Sequence, residues 1–173
     1  MKNIAVIYKS KYGTTKQYAE WIAEELDASL FEASSIKSSS MRTYDVVIYG
    51  GGLYAGGIIG VKHIIKSQCK SLIVFTVGVA DPAVSDYSEI LAKNFTQELL
   101  SKIKIFHFRG GINYPKLGFI HKTMMAVVKK SLEKKNESER TDEDRALLET
   151  YGTEIDFSDK STIMPLIESV RAL

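Results

Sequence analysis

The stretch Val6-Ile7-Tyr8-Lys9-Ser10-Lys11-Tyr12-Gly13-Thr14-Thr15-Lys16-Gln17-Tyr18-Ala19-Glu20-Trp21-Ile22 decides how the rest of the chain is read. Its head belongs to Ile4-Ala5-Val6-Ile7-Tyr8, a continuous, β-branched apolar run of the kind found in strands covered on both faces. Its tail leads into Ala19, Ile22, Ala23 and Leu26 at helical spacing, with Glu20, Glu24 and Glu25 on the other side. Between them Lys9 to Thr15 is a polar loop that turns at Gly13 and enters the helix through hydroxyls. Such a loop offers an anion unpaired backbone N–H groups, hydroxyl donors and the positive end of a helix dipole. Gly13-Thr14-Thr15-Lys16 lacks the second glycine and the Gly-Lys-Ser/Thr order of a nucleoside-triphosphate loop. No arginine cluster or metal-binding carboxylate adjoins it. A single terminal phosphate fits better; the simpler alternative is an ordinary helix start capped by Ser or Thr.

Outward from this unit, strands and helices alternate. Leu30 to Ala33 reads as a weaker strand and Ser34 to Ser40 as a polar connector. Asp45-Val46-Val47-Ile48-Tyr49 is a buried strand that Gly50-Gly51-Gly52 is expected to stop. Helix is expected over Gly60 to Gln68, strand over Leu72 to Val77, helix over Tyr87 to Lys102, and strand over Ile103 to Phe108. This alternation predicts right-handed crossovers and a doubly wound α/β domain, a parallel sheet with helices on both faces. From Pro115 to Thr150 the chain carries about two helices' worth of sequence where a short loop would suffice, so a helical insertion is expected over about 115–150. Leu117, Ile120, Met124, Val128 and Leu132 make its first helix amphipathic. Residues 116–135 hold six lysines against Glu133, and residues 136–150 hold six acids against two arginines, local balances of +5 and −4. The last helix is expected to begin near Ser161 or Thr162, because Pro165 is tolerated only in a first turn.

The 173 residues suit one domain at roughly 150 residues per domain, so 1–173 is read as a single unit. They are 45% hydrophobic and 25% charged, the balance of a folded globular chain. With 23 basic and 21 acidic side chains the net charge is +2, which argues against a dedicated nucleic-acid binder. A lone Cys69 excludes an intramolecular disulfide, and no run approaches the ~20 apolar residues that span a bilayer. A cytoplasmic protein is the expectation. His63, His107 and His121 are scattered and join no metal-ligand or Ser-His-Asp spacing, so neither a metal nor a catalytic side chain is predicted. Cys69 and the Met124-Met125 pair read as packing residues.

The run from Val6 to Ile22 resembles the flavodoxin signature at each of its defining positions: two aliphatics, an aromatic, a hydroxyl residue at Ser10, Thr15, then Ala19 and an aliphatic on the helix. The resemblance implies strand order 2-1-3-4-5 and a bound flavin mononucleotide (FMN) whose phosphate is held by Ser10, Lys11, Tyr12, Gly13, Thr14 and Thr15. It assigns the loop Gly52, Leu53, Tyr54, Ala55 and Gly56 to the flavin ring, with Tyr54 offering a stacking face and Gly56 a peptide able to flip on reduction. The spacing of Gly50, Gly52 and Ala55 also fits a dinucleotide fingerprint. That reading fails, because the phosphate loop lies on the first strand and no acid follows about 20 residues on. The third loop, Gly78, Val79 and Ala80, would address the pyrimidine edge through backbone N–H groups, with Tyr87 the nearest aromatic for the outer ring face.

Two departures separate this chain from the acidic electron-shuttle flavodoxins. Its sequence pI is about 8.5. Its segment Phe108-Arg109-Gly110-Gly111-Ile112-Asn113-Tyr114, the basic insertion and Ile155-Asp156-Phe157-Ser158-Asp159 resemble the flavodoxin-like menaquinone-dependent protoporphyrinogen IX dehydrogenases. Three functions are compatible with these features. The first is an FMN redox protein whose partner is a protein or a quinone. The second is a porphyrinogen-to-quinone dehydrogenase, peripheral at the inner face of a membrane through helix 116–135. The third is a flavin-free interaction domain that uses the insertion.

Overall fold

The structure, a computed structural model, describes residues 2–67 and 69–173. Strand β1 (Ile4–Lys9) leads into helix α1 (Thr14–Leu26), then β2 (Ser29–Glu32), β3 (Val46–Tyr54), a two-residue β4 (Gly57–Ile58), α2 (Val61–Ile65) and β5 (Ser71–Gly78). Helices α3 (Ser88–Asn94) and α4 (Gln97–Leu100), strands β6 (Lys104–Arg109) and β7 (Gly111–Asn113), helices α5 (Phe119–Glu133) and α6 (Asp142–Thr150), strand β8 (Glu154–Asp156) and helix α7 (Met164–Arg171) complete the chain. Five strands lie parallel in the order β2-β1-β3-β5-β6, which is 2-1-3-4-5 once the short antiparallel β4 is set aside.

The side-chain alternation of a strand splits the core in two. Val6, Ile48, Phe75 and Phe108 pack against Tyr18 and Ile22 of α1 and Leu166 and Ile167 of α7. Ala5, Ile7, Val47, Tyr49 and Val74 face the other way, against Ile64, Ile90 and Phe95. A third, smaller cluster belongs to the insertion. Met125 of α5 and Leu147 of α6 meet Val79, Ile112 and Tyr114 together with Tyr12 and Tyr54 from the loops. The insertion is thus packed over the carboxyl ends of the strands, where a parallel sheet places its ligand crevice.

Several expected boundaries move. Strand β3 does not stop at Tyr49; it continues through all three glycines, and Gly50, Gly51 and Gly52 pair with Phe75, Thr76 and Val77. Glycine is used there because neighbouring side chains fill the space above the backbone: a Cβ on Gly50 would lie 2.6 Å from the Phe75 ring carbons Cε1 and Cε2. The helix expected over Tyr87 to Lys102 breaks at Phe95, whose extended backbone turns its ring into the core, and Thr96 caps α4 by accepting from Leu99 N–H. The helix expected over Gly60 to Gln68 is the five-residue α2, and Gln68 lies outside the described residues. A 3-10 turn, Lys160–Ile163, precedes α7, so the helix starts at Met164 with Pro165 in its first turn. Strands β7 and β8, which the sequence reading did not anticipate, form an antiparallel ribbon at the two ends of the insertion.

Candidate functional site

Gly13 precedes α1 with φ 99 and ψ −32, a conformation open to glycine and strained for any other residue. The Ser10 hydroxyl accepts from Gly13 N–H at 3.0 Å and folds the loop back on itself. The N–H groups of Thr14, Thr15 and Lys16 begin the helix and have no acceptor within it. Thr14 is tied down, its hydroxyl donating to Gly111 O at 3.3 Å. Thr15 is buried, 4% exposed, and its hydroxyl faces Gly52, where a Cβ would come within 3.3 Å. The hydroxyl has no protein hydrogen-bond partner among the described residues.

The second loop is a tight hairpin. Tyr54 pairs with Gly57 across Ala55 and Gly56, both at positive φ (49 and 73), as a two-residue primed turn requires. Ala55 in that region is strained by about 1 kcal/mol or more, the kind of outlier that collects at ligand-contacting loops. Lys11 Nζ lies 3.4 Å from the Tyr54 ring centroid. Tyr12 donates to Met125 Sδ at 2.9 Å and meets His121 edge-on. Burial, with Tyr54 and Tyr114 nearby, pushes the Tyr12 hydroxyl well above its ordinary range, so it is a neutral donor.

The third loop is held from both sides. Arg109 Nε donates to Val79 O at 3.0 Å, while its guanidinium lies 3.8 Å over the Phe157 ring. Val79 N–H and Ala80 N–H donate to Oε1 and Oε2 of Glu143, at 2.8 and 2.9 Å. Burial pushes the Glu143 carboxyl up, and these two amides pull it back toward ionisation. Tyr87 is not available to a ring in this crevice. It does not line the cavity and stacks instead on His107 at 3.7 Å, where burial holds His107 down at about 4 and Thr76 bonds its Nδ1 at 2.6 Å.

One cavity of about 60 Å³ joins these loops. Lys11, Tyr12, Thr14 and Thr15 line it from the first loop, Gly52 to Gly56 from the second, and Gly78 and Val79 from the third. Ser10, Gly13 and Ala80 are not among its lining residues. The insertion supplies residues that sequence reasoning missed: Met125, Val128 and Leu132 from α5, and Thr141, Glu143, Asp144 and Leu147 beside them. The acidic block 136–150 was visible, and the Thr141-x-x-Asp144 pattern marks a helix start. Neither says which acid would reach the sheet.

A family model described as flavodoxin domain matches residues 5–139. The chain belongs to the flavodoxin family. The comparison with curated proteins found no match. Among solved structures, the WrbA-like flavodoxin of Agrobacterium tumefaciens is 23% identical, covering 58% of this chain and 71% of that one at a TM-score of 0.42. Oxidised flavodoxin 1 of Bacillus cereus is 16% identical, covering 62% and 84% at 0.46. A Lactobacillus acidophilus flavoprotein in complex with FMN is 14% identical, covering 63% and 93% at 0.44. Against this flavodoxin frame, the first loop fits a phosphate: free first-turn N–H groups, the Thr15 hydroxyl and Lys11 converge on the cavity. The ring position fits in its donors and its glycines. The insertion walls the cavity opposite the loops, through Met125, Val128, Glu143 and Leu147.

Proposed function

We propose that this chain binds FMN and works as a redox protein, passing electrons through the flavin. The observation that supports this best is the convergence of three strand-end loops, a Gly-turned helix start among them, on one cavity at the carboxyl edge of the sheet. When bound, the flavin supplies one- and two-electron redox chemistry; the protein supplies position and electrostatics. The first turn of α1 with Thr14 and Thr15 holds the phosphate dianion. Gly52 lets the backbone approach the ring. The N–H groups of Val79 and Ala80 address its polar edge, and Tyr12, Tyr54 and Met125 keep water away. The near-neutral surface leaves the acceptor open to a redox protein or a quinone.

The test begins with the visible spectrum of the purified protein and titration of FMN into the apo form by fluorescence quenching. Thr15→Ala removes one hydroxyl bond to a charged phosphate, about 1.5–3 kcal/mol, so Kd should rise roughly 10–100-fold. The melting temperature should hardly change, because that hydroxyl has no protein partner to lose. A colourless protein that leaves added FMN fluorescent sinks the redox reading and favours a flavin-free interaction domain.

A finer reading, the menaquinone-dependent protoporphyrinogen IX dehydrogenase, has support from the outer face of α5. Phe119, Ile120 and Val127 are 85%, 73% and 65% exposed there, with Lys122 and Lys130 among them. An apolar stripe among lysines suits an anionic lipid surface, where a membrane quinone is reached. No helix among the described residues is long and apolar enough to cross a membrane, so any contact of this kind is peripheral. Porphyrinogen oxidation that requires a quinone, faster on anionic vesicles than on neutral ones, is the expected result. Turnover with a protein acceptor alone would leave the simpler shuttle.

A further inference from the structure

Glu143 is the second residue of α6, and its carboxylate takes both N–H groups that the flavin reading gives to the ring edge, Val79 and Ala80. The surrounding contacts build this position. Thr141 and Asp144 close a reciprocal cap at the start of α6, and Asp144, 6% exposed, pairs with Lys135 at 2.7 Å. Asp142 accepts from Asp86 N–H at 3.0 Å, so the same helix start is fastened to the far end of the loop. On the other side, Gly78 leaves the room the carboxylate uses: a Cβ there would stand 2.5–2.9 Å from its three terminal atoms.

We propose that Glu143 is an internal competitor of the flavin ring: the insertion is a lid whose latch is this carboxylate on the Val79 and Ala80 amides, and FMN binds by displacing it. The inference rests on the FMN reading and adds the residue that sets the affinity. An amide N–H makes one good hydrogen bond, so the carboxylate and a ring edge cannot both have it. The cavity agrees, since Glu143 lines it beside Gly78 and Val79, where the ring edge would have to lie. A site whose competent form is only part of the population binds more weakly by that fraction, and releasing the latch restores the loss.

The experiment is FMN titration of the apo full-length protein, as wild type, Glu143→Ala and Glu143→Gln, with riboflavin as a probe of the ring alone. Far-UV spectra and melting curves check folding. Glu143→Ala should bind both flavins at least ~10-fold more tightly than wild type. Glu143→Gln should fall between them, because it keeps one acceptor oxygen and sets an NH2 donor against the other N–H, and it carries the test if the alanine variant does not fold. Trypsin should cut the lysines at 129–135 faster in apo Glu143→Ala than in apo wild type. Unchanged or weaker flavin binding in folded variants overturns the latch and leaves the FMN reading standing. No flavin binding by any of the three proteins overturns both.

Discussion

Gly50→Ala is expected to destabilise the fold by about 3 kcal/mol, at the upper end of what overpacking a core costs. The new methyl would overlap the ring of Phe75, its partner across β3 and β5. That ring is fully buried between the sheet and the helices α1 and α7, so it has nowhere to retreat. Phe75→Ala alone should cost about 3–5 kcal/mol through lost burial and the cavity left behind. The double variant is the sharper measurement. The cavity opened by the second change accepts the methyl of the first, so the combined loss should fall short of the sum by about 1–3 kcal/mol. Urea unfolding with a constant m-value would report it. Additive losses would mean that the ring moves aside freely and that glycine at this place has another reason.

Gly111→Ala should also be costly, and it links the fold to the site. A Cβ there would lie 2.7 Å from Asp156 Cα and press on the Ile155 carbonyl, both of them backbone. The β7–β8 ribbon has only three residue pairs, Gly111↔Asp156 among them, so it must splay to make room. The ribbon closes the base of the insertion, and Gly111 O accepts the Thr14 hydroxyl at the phosphate loop. A loss of about 2–3 kcal/mol is expected, with a roughly tenfold weaker FMN affinity. Faster amide exchange at Ile112 and Ile155 should accompany it. Gly118→Ala, with nothing within 4 Å of the new atom, is the control and should change neither.

Both glycines illustrate where the sequence stops speaking. A run of three glycines after an apolar strand reads as punctuation, since glycine weakens a strand and carries no pattern. Only pairing with β1 and β5 makes the run strand, and Phe75, Ile58 and Thr15 over that backbone keep it glycine. Phe95 is similar: helical spacing continues through it, and the core on the α2–α3 side takes its ring at the expense of one helical turn. The ribbon of β7 and β8 joins residues more than forty positions apart, beyond any local pattern.

The sequence by itself determined the doubly wound sheet, its strand order through the flavodoxin signature, and the phosphate loop at the head of α1. These follow from short-range causes: β-branched runs, apolar residues at helical spacing, and a glycine before two threonines. It also announced an insertion with a basic half and an acidic half. Only the tertiary structure decided that this insertion roofs the strand ends and that, of six acids, Glu143 reaches the Val79 and Ala80 amides. A carboxylate's partner depends on where two distant segments dock. That docking is set by the packing of Met125, Leu147 and Tyr114 over the loops, which no spacing within one segment encodes.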